Sequence, residues 1–183
     1  MLFRSETTLF SRQASELIQF ILTSQSQVVA QNTGRARVTG AELATSFSLF
    51  GWFDGGFDYT WQVAEDRGDT FSRGTDLPGR PRHELSARAS VRSRWGRPFY
   101  TFDYVGPNYF DSASATAAAS GGNRDLYRVP GRYIHGAGFS HEAGRRAEVT
   151  VQVDNIFDVL TVDVARYPLP GRVVSAKVRV SLP

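Results

Sequence analysis

The residues of this chain that could do chemistry are charges that alternate with apolar side chains. Glu84, Arg88 and Arg92 stand four positions apart, and small or apolar residues occupy the odd positions between them. Alternate residues of a β-strand point to the same face of a sheet, so these charges are predicted to share one polar face. The same alternation gives the full set of candidates: Glu42, Asp58, Glu84, Arg88, Arg92, Asp103, Glu148, Asp154, Lys177 and Arg179.

Catalytic and metal-binding patterns are not evident in the sequence. The histidines are His83, His135 and His141, and there is no cysteine. His135 and His141 are six residues apart on one predicted strand, so about 20 Å would separate them at ~3.3 Å per residue. No Ser/His/Asp arrangement, phosphate-binding loop or paired-carboxylate motif stands out. We therefore expect neither an enzyme nor a bound metal or cofactor.

The elements that must position the charges are strands with a period of two. About eight antiparallel strands are predicted, and the last runs from Val174 to Leu182. Long connections near residue 27 and at 65–82, 108–131 and 158–171 alternate with short ones at 51–56, 95–98 and 144–146. Brief turns at one end and long loops at the other are typical of membrane barrels, whose outer face is apolar and whose inner face is polar.

Composition sets further bounds on the class of protein. The chain has 183 residues, of which 41% are hydrophobic and 13% aromatic, and its formal net charge is +3. This modest and scattered charge argues against a nucleic-acid partner. No apolar run approaches the length of a transmembrane helix, and the first residues, MLFRSETTLF, lack the pattern of a signal peptide. An exported protein would therefore need a signal that is not in this sequence.

Four short motifs carry a family resemblance. They are Asn32-Thr-Gly34-Arg-Ala-Arg-Val-Thr-Gly40-Ala-Glu42, Leu77-Pro78-Gly79-Arg80-Pro81-Arg82-His83, Val153-Asp-Asn155-Ile-Phe157-Asp158 and Tyr167-Pro-Leu-Pro-Gly171-Arg172. In this order and at these spacings they resemble segments of TonB-dependent outer-membrane receptors, and the resemblance covers essentially the whole chain.

The resemblance implies a fold and a function. The fold is a 22-stranded transmembrane barrel of which residues 1–183 would supply the C-terminal third, without the plug domain. The implied function is active uptake of a large scarce nutrient, such as a ferric siderophore or a cobalamin, through the outer membrane of a Gram-negative bacterium. The implied partners are outer-membrane lipid, the remaining barrel and plug, the TonB complex through an N-terminal region not in this chain, and a small-molecule or metal-chelate ligand. The charged candidates would face the lumen of the barrel.

Some motif residues also have physical roles that can be stated in advance. We expect Gly40 to relieve crowding beside Glu42, and Asn155 and Asp158 to cap the backbone of a turn. Gly171 is predicted to take a positive φ. The arginines of the two Gly-Arg pairs, Arg80 and Arg172, are expected to pair with carboxylates.

Three alternatives remain open at the level of sequence. The charges could be no more than a solvated face without a partner. The strands could close as a small eight-stranded barrel with a structural or adhesion role, or they could form a soluble β-sandwich that binds a ligand.

Overall fold

A computed structural model describes residues 1–22, 28–68, 73–109, 117, 120–121, 128–144, 146–164 and 167–181, with side chains for all of these except 17–22, 28–33, 163–164 and 167. Twelve strands are described. They are β1 (Leu2–Leu22), β2 (Val28–Leu49), β3 (Phe53–Asp66), β4 (His83–Val91), β5 (Arg97–Val105), β6 (Asn108–Tyr109), β7 (Arg128–Val129), β8 (Arg132–Ala143), β9 (Ala147–Asp154), β10 (Val162–Val164), β11 (Tyr167–Pro168) and β12 (Val173–Val180). Among the described residues, no helix has the length and apolar character needed to cross a membrane.

Eight of these strands form one antiparallel sheet in the order β1-β2-β3-β4-β5-β8-β9-β12. Each strand pairs with the next long strand along the chain, so the sheet is a meander and the predicted all-β class with eight strands is confirmed. Two small pairs, β6 with β7 and β10 with β11, lie within the connections that were predicted to be long loops. They were missed because two or three residues are too short to show a period.

The first hairpin differs from the predicted one. The polar segment after Leu22 was expected to be a loop as far as Arg37, but β2 begins at Val28 and pairs with the end of β1. Backbone ladder bonds extend a strand without an apolar side-chain pattern, so the polar sequence hid this part. The irregularity predicted near Gln13–Ser15 is present as register shifts between Ala14 and Ile18.

The short connection between β2 and β3 is tighter than predicted. It was expected to cover Gly51–Gly56, yet β3 begins at Phe53. Phe50 and Gly51 have positive φ, and the Trp52 amide donates to the Leu49 carbonyl oxygen at 3.3 Å. Gly55 lies within β3 and pairs with Phe47 of β2, and a side chain at this position would meet the Phe47 ring, since Cζ lies 2.6 Å from an ideal Cβ.

The two faces of the sheet differ sharply in character. The polar face curves around a cavity of about 1090 Å³ that is lined by residues of β1, β2, β3, β4, β5, β8, β9 and β12. The opposite face presents aliphatic and aromatic side chains to the outside, among them Val151 and Val178, which are 47% and 65% exposed. Large exposed apolar side chains arranged along a whole sheet face indicate contact with something other than water.

The sheet is open in the part of the chain that the structure describes. β1 and β12 stand at its two ends and each pairs with one neighbour. The structure therefore contains neither the closed eight-stranded barrel nor the two packed sheets of a sandwich that the sequence left as alternatives.

Candidate functional site

The polar concave face is built from rows of residues that the strand register places side by side. One row joins Glu42 of β2, Thr60 of β3 and Glu84 of β4. The next row toward the short turns joins Asp58 of β3, Ser86 of β4 and Asp103 of β5. The Ser86 hydroxyl donates to Asp103 Oδ1 at 2.6 Å. These two rows bring four of the predicted acidic candidates together on adjacent strands.

Arg88 occupies the next row toward the short turns. Arg88 pairs across with Gly56 and Thr101, and its guanidinium carbon lies 5.4 Å from the centre of the Phe99 ring. An arginine above an aromatic face is held by the ring's quadrupole while its charge stays available to other groups.

Asp54 of β3 binds two arginines at the connection between β4 and β5: Arg92, just after β4, and Arg97, the first residue of β5. Its carboxylate accepts hydrogen bonds from Nε and Nη2 of Arg92 at 2.7 and 2.6 Å, and a further one from Nη2 of Arg97 at 3.1 Å. The hydrogen bonds that Arg92 donates to Asp54 raise the pKa of Arg92. Arg92 was a predicted candidate, whereas Asp54 and Arg97 were missed because both were assigned to turns. The sequence did contain a signal for both residues. Asp54 continues the alternation of polar residues in β3, and Arg97 continues that in β5.

The last strands add a second charged group to the same face. Lys177 and Arg179 of β12 line the cavity with Glu148 of β9, and Arg179 Nη1 lies 3.4 Å from Glu148 Oε2. Asp154, at the end of β9, accepts a 2.6 Å hydrogen bond from Gln152 Nε2. All ten predicted charged candidates thus belong to one face, but only Arg92, Glu148 and Arg179 have ion-pair partners among the described residues.

Gly40 of the first motif lies where no side chain fits. An ideal Cβ would overlap the Trp61 carbonyl oxygen and would lie 2.7 Å from Cζ of Phe10. Glu42 follows on the same face and is exposed. Gly34 is buried in β2, and Asn32 lies in the same strand with a side chain outside the described set.

We expect Gly40→Val to destabilise the sheet by about 1–3 kcal/mol, because overpacking against backbone atoms forces neighbouring strands to shift. The matched control is Ala44→Val, four residues along the same face at an exposed position. Urea unfolding of the membrane-inserted barrel measures both variants, and equal midpoints for the two would contradict the expectation.

The second motif supports the start of β4. The Gln62 amide group donates to the Pro81 carbonyl oxygen at 3.1 Å, and His83 Nδ1 lies 2.7 Å from the Tyr59 hydroxyl. Arg82 Nη2 donates to Asp76 Oδ1 at 2.9 Å, and this bond raises the pKa of Arg82. Pro78 is half-buried in a turn, and Pro81 is buried. Arg80, which was expected to pair with a carboxylate, is exposed.

The third and fourth motifs meet in one structure, which we call the loop clasp: Asn155, Asp158, Gly171 and Arg172. Asn155 is 4% exposed, its Oδ1 accepts the Val159 amide at 2.9 Å, and its Nδ2 donates to the Val159 carbonyl at 3.0 Å. Asp158 Oδ1 accepts the Arg172 amide at 2.7 Å. The predicted capping by both side chains is therefore present, and it ties the end of β9 to the start of β12.

Two expectations about the loop clasp were wrong. Gly171 does not adopt a positive φ; Asn155 and Asp158 do, at 52° and 54°. Gly171 is required for space, because an ideal Cβ there would lie 2.6 Å from Asp158 Oδ1. The Arg172 side chain bonds to a backbone carbonyl rather than to a carboxylate, since its Nε donates to the oxygen of Ile156 at 3.0 Å.

Phe157 and the histidines belong to the outer face. Phe157 is 68% exposed and meets the His135 ring edge-on, with centroids 5.0 Å apart. The Tyr100 hydroxyl also bonds to His135, and His141 Nδ1 donates to the Trp95 carbonyl oxygen at 2.9 Å. Within the described ranges, no group of three or more His, Asp or Glu side chains could hold a metal ion.

Comparison with known proteins identifies the architecture. Residues 3–156 match the family model described as TonB dependent receptor-like, beta-barrel. Among curated proteins, none matches the chain.

Solved structures share the fold at low sequence identity. The ferric yersiniabactin uptake receptor FyuA from Yersinia pestis matches with a TM-score of 0.76 and 19% identity, over 97% of this chain and 27% of that one. The copper transporter OprC matches with a TM-score of 0.76 and 18% identity, over 98% of this chain and 29% of its own. The ferric citrate transporter FecA, in its unliganded form, matches with a TM-score of 0.75 and 18% identity, over 97% and 29% respectively.

The chain thus spans somewhat over a quarter of the length of these relatives. The family model covers most of it, and the three solved structures align with nearly all of this chain, including its eight-stranded meander. The chain belongs to the TonB-dependent receptor family and forms part of the β-barrel of such a receptor.

Proposed function

We propose that this chain is the C-terminal wall segment of an outer-membrane transport receptor that takes up a large, scarce nutrient with energy from the TonB complex. The observation that carries the proposal is the single meander with a charged concave face and an apolar outer face. In a barrel, the apolar face contacts lipid and the polar face lines an aqueous interior. The ten charged candidates would then face the lumen.

Strand length supports the membrane location. β4 and β5 have nine residues each, and β9 and β12 have eight. A tilted strand of about 9–11 residues crosses the hydrocarbon core of a bilayer, so these strands have close to the required length. Trp52 and Trp95 lie by the short turns, while Tyr104 and Tyr133 stack at the other end with centroids 4.8 Å apart. Aromatic residues at both ends of the apolar face fit the two interfaces of a membrane.

Metal chelates are the ligand class that we favour. The structural relatives are described as receptors or transporters for ferric yersiniabactin, ferric citrate and copper. These descriptions support a ferric siderophore or a related chelate as the ligand. Cobalamin is the other large nutrient considered.

The long connections, all at one end of the sheet, would form part of the extracellular binding surface. The plug domain, supplied by sequence outside this chain, would control passage. The chain's role in this proposal is transport and not catalysis.

The test is uptake of labelled ferric chelates and cobalamin by cells that carry the receptor containing this segment. We expect accumulation above the receptor-free background in cells with an active TonB complex, and loss of that accumulation when TonB is inactivated. Equal uptake with and without TonB would contradict energised transport. Recovery of the receptor as a stable soluble monomer, instead of in the outer-membrane fraction, would contradict the membrane location.

A further inference from the structure

The three short turns lie side by side at one end of the sheet, and we call them the short-turn rim. They are residues 50–52, 92–96 and 144–146. Their sequences include arginines and aromatic residues but no aspartate or glutamate. The Arg92 amide donates to the Trp52 carbonyl oxygen at 2.6 Å, and His141 Nδ1 donates to the Trp95 carbonyl oxygen at 2.9 Å. These two bonds join the middle turn to the first turn and to β8, whose end leads into the third turn.

In the part of the chain that the structure describes, Arg94 is held by an aromatic ring and not by a carboxylate. It forms the tip of the middle turn with Trp95, since Ser93 and Gly96 exchange backbone hydrogen bonds of 3.0 and 3.2 Å. Its guanidinium carbon lies 4.4 Å from the centre of the Trp95 ring. None of the ion pairs described for this chain includes Arg94 or Arg146. An aromatic ring orients an arginine without cancelling its charge, so the guanidinium keeps its attraction for an anion.

The carboxylates closest to the short-turn rim along the chain belong to the concave face. Asp54 and Glu148 line the cavity, where they pair with Arg92 and Arg179 respectively. Glu142 lies opposite Glu148 in the register of β8 and β9, and residues paired in this way share one face. These carboxylates therefore contribute negative charge to the interior and not to the outer edge of the short-turn rim.

Exposed aromatic side chains place the short-turn rim at the border of the apolar outer face. Trp52 and Trp95 are 49% and 67% exposed, and Phe50 stacks on Trp52 with ring centroids 5.9 Å apart. His141, which holds the Trp95 carbonyl, shares its face of β8 with Phe139, two residues earlier. Indole rings favour the headgroup level of a bilayer, so an arginine stacked on one is suited to meet the lipid phosphates there.

We infer that the short-turn rim binds the headgroups of anionic phospholipids, with Arg94 and Arg146 as the groups that meet phosphate. The inference rests on the membrane location within the proposed function and not on transport. A zwitterionic headgroup brings an ammonium group together with its phosphate, whereas an anionic headgroup brings no cation against the arginines. The short-turn rim is therefore expected to select anionic over zwitterionic lipid.

The test measures which lipid lies next to the short-turn rim in the complete receptor, reconstituted in vesicles. Ala143→Cys, an exposed position two residues from His141 at the end of β8, carries a fluorophore as the single labelled cysteine. Lipids with brominated chains quench this fluorophore, and brominated phosphatidylglycerol is compared with brominated phosphatidylcholine at the same fraction of the bilayer. We expect binding about twentyfold in favour of phosphatidylglycerol, because each basic residue near an anionic lipid contributes roughly fivefold.

Substitution of the two arginines separates a charge effect from a general one. Arg94→Gln combined with Arg146→Gln is expected to reduce the preference to less than about threefold, whereas the corresponding lysine pair keeps the charges and is expected to retain at least half of it. Arg12→Gln combined with Arg37→Gln makes the same change in charge at exposed residues of the first hairpin, away from the short-turn rim, and is expected to leave the preference unchanged. A wild-type preference below threefold, or an unchanged preference in the glutamine pair, overturns the inference.

Further outcomes distinguish the lipid from a soluble phosphate and the inference from the proposed function. An excess of glycerol 3-phosphate is expected to leave the preference in place, and its loss would overturn the assignment to a lipid. Absence of quenching by either brominated lipid would contradict the membrane location, and the proposed function with it. Equal quenching by both lipids would overturn the inference alone, because the label would still report a bilayer around the short-turn rim.

Discussion

Asn155→Ala is expected to destabilise the assembled barrel by about 2–4 kcal/mol. The side chain is buried and makes two hydrogen bonds with Val159, at 2.9 and 3.0 Å, so its loss leaves the loop backbone without partners. An unsatisfied buried backbone group costs about 1–3 kcal/mol. Asn155 also has a φ of 52°, and alanine in that left-handed region costs roughly 1–2 kcal/mol. Urea unfolding of the barrel in lipid vesicles gives the free energy directly.

The two contributions are separable with a glycine at the same position. Asn155→Gly loses the same hydrogen bonds but tolerates the left-handed backbone, so it is expected to be about 1 kcal/mol more stable than Asn155→Ala. Gln152→Ala is the control, since Gln152 bonds to Asp154 within its own strand and holds no loop. Equal stability of the alanine variant and the wild type would mean that the loop clasp does not hold the end of β9 to β12.

The loop clasp also shows what sequence reasoning could and could not provide. The capping roles of Asn155 and Asp158 were predictable because short polar side chains at a strand end bond to nearby backbone. The role of Gly171 was not, because its constraint comes from Asp158, thirteen residues earlier in the chain, and depends on how the two segments meet. Arg172 was misassigned for the same reason, since its partner is the carbonyl of Ile156.

The strands and the charged face were predictable from the period of two. That period assigns Glu84, Arg88 and Lys177 to a face, because alternation is a local property of each strand. It contains no information on register, which decides that Arg97 and Lys177 share a row and that Asp54 meets Arg92. The pairing within β6–β7 and β10–β11 was also inaccessible, and the predicted end of the last strand at Leu182 lies outside the described residues.

The alternation within a strand also determines which of its side chains a membrane would meet, and β9 offers a direct comparison. Val151 lies at the middle of β9 on the outer face, 47% exposed, between Phe139 and Ala176 on the adjoining strands. Its neighbour Gln152 lines the cavity on the other face. Under the proposed function, Val151→Arg would place a guanidinium in the hydrocarbon core.

Val151→Arg is expected to lower the stability of the membrane-inserted barrel by about 2–4 kcal/mol, the cost of arginine on the lipid face near the bilayer midplane. Gln152→Arg adds the same side chain to the same strand, but it points into water and can still donate to Asp154, so a change below about 1 kcal/mol is expected. Both variants would be unfolded with denaturant in vesicles, and their yields in the outer-membrane fraction compared. The two positions are adjacent in β9 and lie on opposite faces of the sheet. Equal losses of stability would mean that the aliphatic face does not contact lipid. A greater loss for Gln152→Arg would place the lipid on the charged side.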